Sequence, residues 1–277
     1  MLARAKLNLA LHVTGQRRRG TQVGYHLLHS LVAFADVGDE VSFKYSKIDR
    51  LIVDGPYAEG TPALNNNSMG AALALVRSWG EARDPVDIHL TKNLPLASGI
   101  GGGSADAAAL ITLLTKGRAL SDREKAECLA LGADVPMCLV GTPAIIGGIG
   151  EENRPVSLPS AHVVLVNPGV GVSTPAVFKA LDRKTNGEMP DWSTPRSFSD
   201  LIAFLRATRN DLMAPAISLV PEIRNCLEVL ADAPFARMSG SGATCFALLE
   251  TRAAAEELAT QTQNAHPNWW VRVGILS

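Results

Sequence analysis

The chain has 277 residues, which is enough for one large domain or two ordinary domains, each with its own hydrophobic core. Its 26 Lys and Arg nearly balance its 27 Asp and Glu, so charge gives no reason to expect nucleic acid or an acidic membrane as a partner. The four cysteines form no Cys-x-x-Cys pair and have no histidine at zinc-finger spacing, which favours buried thiols in a reducing compartment over a metal site.

The first predicted element is a strand over residues 5–13, where polar and apolar side chains alternate. One face carries Lys6 and Asn8, an amine and an amide, and the other carries leucines. A solvated face and a functional face explain this pattern equally well. Because charges interrupt the apolar run, the segment predicts neither a signal peptide nor a membrane span, and we expect a cytoplasmic protein.

A basic turn over residues 16–21 follows, and its three arginines favour a solvated loop over a nucleotide contact. After Gly24 come two adjacent ring-bearing polar residues, Tyr25 and His26. Such rings can stack on a flat heterocycle and hydrogen-bond its edge, which would suit a pyrimidine base. Taken alone, the pair is more often partly buried surface.

Alternating patterns predict further strands at residues 29–34, 41–45 and 86–90, with a turn at residues 36–39. Three asparagines and a serine then precede apolar residues at helical spacing, which predicts a capped helix over residues 69–79. Asn65 and Asn66 could also present amides to an adenine or a ribose, although capping and turn formation are the simpler interpretation.

The most informative stretch is a glycine loop between a strand and an alanine- and leucine-rich helical run. It contains four glycines within five positions, Gly99, Gly101, Gly102 and Gly103. Glycines at such a junction allow positive φ and close approach of a ligand, and the first N–H groups of a helix favour an anion such as phosphate. Ser104 can cap this helix or offer a hydroxyl, Asp106 lies in its predicted first turn, and Lys92 could add a mobile positive charge.

Neither of the two commonest phosphate motifs fits this loop. The P-loop pattern Gly-x-x-x-x-Gly-Lys-Ser/Thr is missing from the sequence, and Ser104 stands where the dinucleotide fingerprint needs its third glycine. A simple tight turn between strand and helix is the remaining alternative.

A carboxylate in apolar sequence follows the next predicted helix, which spans residues 121–131 with Ser121 as its cap. Gly132 and Pro136 predict a turn around Asp134, whose neighbours are mostly apolar. Asp134 is therefore either a turn cap or a group held for chemistry.

The rest of the chain predicts a second domain that begins after a proline-containing shift in pattern near residues 155–160. A strand at residues 162–166 and a helix at residues 176–181 come first. A second loop of small residues, 239–243, either approaches the glycine loop or turns a hairpin. The predicted domains are residues 1–156 and 157–277.

Three signals in fixed order resemble the motifs of the GHMP kinase superfamily, named for galactokinase, homoserine, mevalonate and phosphomevalonate kinases. They are Lys6-x-Asn8 in the first strand, the glycine loop from Pro95 to Ser104, and Ser239-Gly240-Ser241-Gly242-Ala243. The Tyr25-His26 pair and the Gly132-Ala133-Asp134-Val135-Pro136 turn further resemble a branch of the superfamily that acts on a cytidine diphosphate sugar alcohol in isoprenoid precursor synthesis. The similarity covers nearly the whole length.

The resemblance implies transfer of the γ-phosphoryl group of ATP, with Mg²⁺, to a hydroxyl of that small-molecule substrate. Lys6 and Asp134 would be catalytic, Asn8 would lie at the acceptor, and Tyr25 and His26 would hold the cytosine. ATP would contact Asn65 and Asn66 through its adenosine. Its phosphates would meet Lys92 and the loop residues Pro95, Leu96, Ala97, Ser98, Gly99, Ile100, Gly101, Gly102, Gly103 and Ser104.

The implied fold is α+β, with an ATP-binding N-terminal domain like domain 2 of ribosomal protein S5 and a ferredoxin-like, substrate-side C-terminal domain. Two other functions stay open: another small-molecule GHMP kinase of the homoserine or mevalonate type, or a catalytically silent relative that only binds ligand. The sequence is compatible with a monomer or a homodimer.

Overall fold

The computed structural model describes residues 1–19 and 23–277, which form two units that are each discontinuous in sequence. The first unit contains Met1–Lys6, Val37–Leu96 and Gly101–Gly141, and the second contains Leu7–Asp36, Ala97–Ile100 and Thr142–Ser277. This grouping follows contacts in space, and the predicted division of the sequence after residue 156 stays a prediction.

Two long strands, β1 (Leu2–Gln16) and β2 (His26–Tyr45), pair with each other and contribute residues to both units. In the first unit, the second half of β2 pairs antiparallel with β4 (Val86–Thr91), and β4 pairs parallel with β3 (Arg50–Asp54). Parallel neighbours require a crossover, and the segment between β3 and β4 supplies it with a helix.

That helix is α1 (Ser68–Ser78), and it packs with α2 (Gly102–Leu114) over the sheet of the first unit. The Asn67 side chain caps α1 by accepting the Met69 N–H, as the asparagine run predicts. Two shorter helices follow, α3 (Asp122–Cys128) and α4 (Val135–Val140). Small alanines on α2 are buried in the core of this unit, which lets the helix lie close to its neighbours.

The second unit is built on an antiparallel sheet. Its strands are β5 (Ala144–Gly147), β6 (Glu152–Pro155), β7 (Ala161–Asn167), β8 (Phe235–Met238), β9 (Cys245–Leu249) and β10 (Trp270–Leu276). The order β10-β7-β9-β8 continues from the first half of β2, and β5 pairs with both β2 and β6. Its helices are α5 (Thr174–Lys179), α6 (Phe198–Arg206), α7 (Met213–Leu219), α8 (Glu222–Val229) and α9 (Arg252–Ala265).

The turn expected at residues 36–39 is wrong, because β2 continues through it as one strand. A backbone contact with β1 explains the difference: a Cβ on Gly38 would lie 2.2 Å from the Ala3 carbonyl oxygen, so only glycine lets the two chains approach this closely. At the same end of the strands, Val41 and Met1 exchange two hydrogen bonds between their backbone groups. Long-range pairing therefore overrides the local turn signal.

The four cysteines are unpaired thiols, and three of them are buried, as expected from their spacing. Among residues 1–19 and 23–277, no helix combines the length and the apolar character needed to cross a bilayer.

Candidate active site

The glycine loop runs into the N-terminus of α2, as the sequence predicts. Gly101 is the N-cap residue with φ +70°, and the first intrahelical hydrogen bond runs from the Ala105 N–H to the Gly101 carbonyl. The N–H groups of residues 102–104 precede that bond, so they are the donors that a helix offers to an anion. Ser104 is the third residue of the helix rather than its cap, and Asp106 is the fifth, beyond the first turn predicted for it.

Lys6 and Asp134 form an ion pair in the first unit. Nζ of Lys6 lies 2.9 Å from Oδ2 of Asp134, with the lysine side chain 6% exposed and the carboxylate side chain 33% exposed. Asp134 directly precedes α4, and Pro136 in the first turn of that helix explains why a predicted turn continues as helix. The carboxylate is therefore oriented by a buried cation while part of its surface stays open.

Gly101 brings the start of α2 against this pair. A Cβ built on Gly101 would lie 3.3 Å from two carbons of Lys6 and 3.7 Å from Oδ2 of Asp134. With a positive φ as well, this position favours glycine twice over. A helix N-terminus suited to phosphate thus lies beside a lysine and a carboxylate.

Lys92 is held in the interior of the first unit between two carboxyl groups. Its ammonium hydrogen-bonds Oδ2 of Asp39 and lies 2.8 Å from Oδ2 of Asp106. Burial opposes the charged lysine, but the two carboxyl groups outweigh it and raise the pKa of Lys92. We call these three residues the Lys92 cluster. Contact of Lys92 with ATP phosphates stays a prediction.

Burial dominates the ionisation of Asp106. It raises the pKa of the Asp106 carboxyl from 3.8 to about 7, although Lys92 acts in the opposite direction. Oδ1 of Asp106 is buried and has no hydrogen-bond partner within the described parts of the chain. Asp39 is not predicted from the sequence, because its only local signal is the turn wrongly predicted around it.

Asn65 and Asn66 lie in a short 3₁₀ turn, Leu64–Asn66, and both are exposed. Asn65 lines a cavity of about 720 Å³ between β3 and α1, whose wall also includes Asp49 and Arg77. The glycine loop does not line this cavity, so the cavity does not identify a phosphate site.

In the second unit, residues of the glycine loop touch the second loop, residues 239–243. A Cβ on Gly99 would lie 2.6 Å from the Gly242 carbonyl oxygen, and the Ser239 hydroxyl donates to the Gly99 carbonyl at 3.1 Å. The Thr244 N–H donates to the Ser98 carbonyl at 3.1 Å. The second loop also turns the hairpin between β8 and β9, so both alternatives left open by the sequence are present.

Asn8 is buried in the second unit and fixed by hydroxyl groups. Its N–H donates to Oγ of Ser239 at 3.1 Å, and its side-chain amide donates to Oγ of Ser30 at 2.8 Å. Ser30 in turn donates to the Ala10 carbonyl at 2.6 Å. Asn8 therefore occupies a set position on β1 and not a solvated strand face.

Tyr25 directly precedes β2 and His26 is its first residue, and the two side chains differ in exposure. Tyr25 is 56% exposed, whereas the His26 ring stacks on Phe178 with centroids 4.7 Å apart. Partial burial, with a smaller contribution from Lys184, lowers the pKa of His26, which favours a neutral ring. Phe178 is not predicted from the sequence, since an apolar residue in a short helix carries no functional signal by itself.

The remaining predicted residues vary in exposure. Pro95 and Ser98 are buried, Gly99 is partly buried, Ile100 is buried, and Leu96 and Ala97 are exposed. Arg17 in the basic turn pairs with Glu151, while residues 20 and 21 of that turn lie outside the described residues.

Comparison with known proteins agrees with the order of motifs. A family model for the N-terminal domain of GHMP kinases matches residues 66–142, and one for their C-terminal domain matches residues 191–268. The first match contains the glycine loop and Asp134, and the second contains residues 239–243.

Two relatives that match over nearly their whole length have the same description. The chain is 46% identical over 279 residues to 4-diphosphocytidyl-2-C-methyl-D-erythritol kinase of Chelativorans sp. (strain BNC1), covering 98% of this chain and 94% of the relative. It is 50% identical to the kinase of that description from Paracoccus denitrificans (strain Pd 1222), covering 99% and 96%. A solved structure of 4-(cytidine 5'-diphospho)-2C-methyl-D-erythritol kinase matches with a TM-score of 0.77 and 32% identity, covering 100% of this chain and 98% of that one.

Proposed function

Because the chain belongs to the 4-diphosphocytidyl-2-C-methyl-D-erythritol kinase family of the GHMP kinases, we propose that it phosphorylates the 2-hydroxyl of that substrate. ATP donates the γ-phosphoryl group, and the products are the 2-phosphate and ADP. This reaction belongs to the non-mevalonate route to isoprenoid precursors. Within the cell we expect the enzyme to be cytoplasmic.

In this proposal the Asp134 carboxylate accepts the proton of the substrate 2-hydroxyl, and the oxygen of that hydroxyl attacks the γ-phosphorus of ATP. The bond between that phosphorus and the oxygen bridging to the β-phosphorus breaks, and the electron pair leaves with ADP. A positioned carboxylate is needed because a sugar hydroxyl holds its proton tightly in water. Lys6, 2.9 Å from Asp134, orients the carboxylate and provides positive charge where negative charge develops.

The glycine loop and the start of α2 are assigned to the phosphates of ATP, the nucleotide that GHMP kinases use. Phosphoryl transfer depends on positioning and charge stabilisation more than on covalent help, which preorganised N–H donors at a helix N-terminus provide. Gly101 supports this assignment, since its lack of a side chain lets the start of α2 lie against Lys6 and Asp134.

We include Mg²⁺ as the companion of ATP. Such ions bind through one or two oxygen side chains together with the phosphates of the substrate, and they neutralise phosphate charge. Within the described residues, no group of three or more His, Cys, Asp or Glu side chains could hold a metal ion by itself. The phosphates would therefore supply most ligands, and Ser104 is the hydroxyl that the first turn of α2 offers.

The cytosine is assigned to Tyr25 and His26, and Asn8 to the acceptor region. The stacking of His26 on Phe178 supports the assignment, because it fixes the plane of the imidazole, whose Nε2 also lies 3.5 Å from the side-chain nitrogen of Gln16. A homoserine or mevalonate kinase would have no base for these rings to hold.

The observation that carries the proposal is the contact of Gly101 with the Lys6–Asp134 pair, since it joins a phosphate-type helix start to a proton acceptor. A ligand-binding relative without activity would need no such carboxylate.

The test is ADP release by the purified protein with Mg-ATP and 4-diphosphocytidyl-2-C-methyl-D-erythritol, with homoserine and mevalonate in parallel. Turnover with the cytidyl compound alone is the expected result. Turnover with homoserine or mevalonate would replace the substrate assignment, and no turnover with any of the three in a protein that binds ATP would favour the silent relative.

A further inference from the structure

We propose that Lys92, Asp39 and Asp106 are positioning residues that fix both ends of the glycine loop, so that Lys92 acts on ATP through the loop backbone and not by touching phosphate. The inference rests on the proposed function, because it assigns a task to the loop that holds the phosphates. It gives Lys92 a different role from the one that sequence resemblance implies.

The Lys92 cluster holds the chain where it enters the loop. Oδ1 of Asp39 accepts the backbone N–H groups of Asn93 at 2.7 Å and Leu94 at 2.8 Å, the two residues before Pro95. Its other oxygen binds the Lys92 ammonium. One carboxyl on β2 therefore fixes three successive residues of the entering chain.

The same ammonium holds the chain where it leaves the loop. Nζ of Lys92 lies 2.8 Å from Oδ2 of Asp106, the fifth residue of α2. It also lies 3.3 Å from the position that a Cβ of Gly102 would occupy, so the lysine reaches the first turn of the helix. Entry and exit of the loop are thus joined through one side chain.

Burial argues against a direct phosphate contact by this lysine. The side chains of Lys92, Asp39 and Asp106 are 4%, 0% and 4% exposed. Turning the ammonium toward a phosphate would leave two carboxyl groups in the interior without their shared cation, which is unfavourable. Lys6, by contrast, pairs with one carboxylate that water reaches.

Fixing the loop ends affects catalysis because hydrogen-bond donors must be preorganised. A misplacement of about 1 Å in positioning groups can reduce rate or affinity about 100-fold. We therefore expect loss of the Lys92 cluster to weaken the binding of ATP and to leave the KM for the cytidyl substrate unchanged.

The experiment measures Mg-ATP affinity by calorimetry, and KM for each substrate, in D39N, D106N, K92M and the K92M/D39N double variant. The D39N change keeps an oxygen acceptor for the backbone but removes the charge that holds Lys92. We expect D39N and K92M each to raise the Kd and KM for ATP about 10-fold to 100-fold, D106N to raise them less, and the double variant to fall short of the product of the two single effects. KM for the cytidyl substrate stays within about threefold.

Asp87 provides a matched control in the same unit. It is buried and forms an ion pair with Arg50 at 2.8 Å, between β3 and β4 and away from the glycine loop. The D87N variant should lower the melting temperature without changing the Kd for ATP. Circular dichroism of every variant establishes that it folds, and D106N, which still offers Lys92 an oxygen, keeps the test available if K92M does not fold.

Two results would overturn the inference. If K92M weakens the binding of Mg-ATP while D39N and D106N leave the Kd for Mg-ATP unchanged or lower it, Lys92 contacts the phosphates directly. If all three behave like D87N, the cluster stabilises the fold and nothing more. Since the Kd is measured without turnover, absence of activity toward the cytidyl substrate would contradict the proposed function alone.

Discussion

Two lysines of the first unit are paired with carboxyl groups in opposite ways. Lys6 pairs with Asp134, whose side chain is 33% exposed, whereas Lys92 lies between Asp39 and Asp106 in the interior. Gly101 packs against the first pair and Gly102 against the second cluster. Consecutive glycines of one loop therefore border two different ionic environments.

In the proposed mechanism, burial distinguishes a group that reacts with substrate from one that only holds its neighbours in place. A carboxylate that water and substrate can reach is available to take a proton, and a single buried cation is enough to orient it. A lysine enclosed by two carboxyl groups is fully engaged, so its contribution passes through the backbone that it holds. Residue type alone does not distinguish these roles.

The largest effect separating the two lysines should be on turnover. Replacing Lys6 with Met removes the cation beside the proton acceptor, and we expect kcat to fall about 100-fold to 1000-fold, as for loss of one charge-stabilising donor. The Kd for Mg-ATP should change far less, because the loop is intact. Steady-state kinetics and calorimetry check this, and an unchanged kcat would remove Lys6 from the chemistry.

The free energy of unfolding should fall more when Lys92 is replaced than when Lys6 is replaced. Replacing Lys92 with Met leaves two buried carboxyl groups facing each other, and the free energy of unfolding should fall by about 3–5 kcal/mol. Replacing Lys6 with Met leaves a carboxylate that water reaches, so the loss should be smaller. Urea unfolding of both variants measures the difference, and equal losses would contradict the distinction.

The raised pKa of the buried Asp106 carboxyl should be detectable in the pH dependence of the free energy of unfolding. Because the folded-state pKa of Asp106, about 7, lies above its ordinary value of 3.8, its contribution is fully present below pH 3.8 and is lost as the pH rises through 7. Each unit of that difference corresponds to about 1.4 kcal/mol. D106N cannot lose a proton, so its unfolding free energy should gain on that of the wild type between pH 4 and pH 7. Parallel pH curves would contradict the shift.

The smallest effect is expected at the Arg50–Asp87 pair. Hydrogen bonds from Arg50 lower the pKa of Asp87 from 3.8 to about 2, despite the opposing effect of desolvation. Its contribution to stability is present above pH 3.8 and is lost as the pH falls through 2. In the R50M variant an NMR titration should find the pKa of Asp87 raised, while kcat and KM for ATP are unchanged. A change in the KM for ATP would show that ATP binding at the glycine loop depends on ion pairs of the first unit other than those of the Lys92 cluster.

Local signals predicted much of the fold. Helix caps, glycines and alternating side chains predict helices α1, α2 and α3 and strands β1, β4 and β7. The glycine loop was assigned to a helix start because strand, glycines and an alanine-rich run follow one another directly. Asp134 was found because a carboxylate stands in an apolar turn.

Local sequence patterns do not predict contacts between residues that are far apart in the chain. Asp39 was taken for part of a turn, because nothing near it in sequence indicates the backbone of Asn93 or the ammonium of Lys92. The two carboxyl partners of Lys92 are likewise not indicated by the sequence around it, and its predicted contact with phosphate stays a prediction. Phe178 was invisible because its stacking on His26 depends on residues far away in sequence.

The most direct test of the account is the kcat of D134N, measured together with its Kd for Mg-ATP. Asparagine keeps the shape of the side chain but cannot accept the proton of the 2-hydroxyl, so kcat should fall about 100-fold to 10,000-fold while the Kd for ATP stays near that of the wild type. Near-normal turnover in D134N would show that this carboxylate, although oriented by Lys6, does not activate the acceptor.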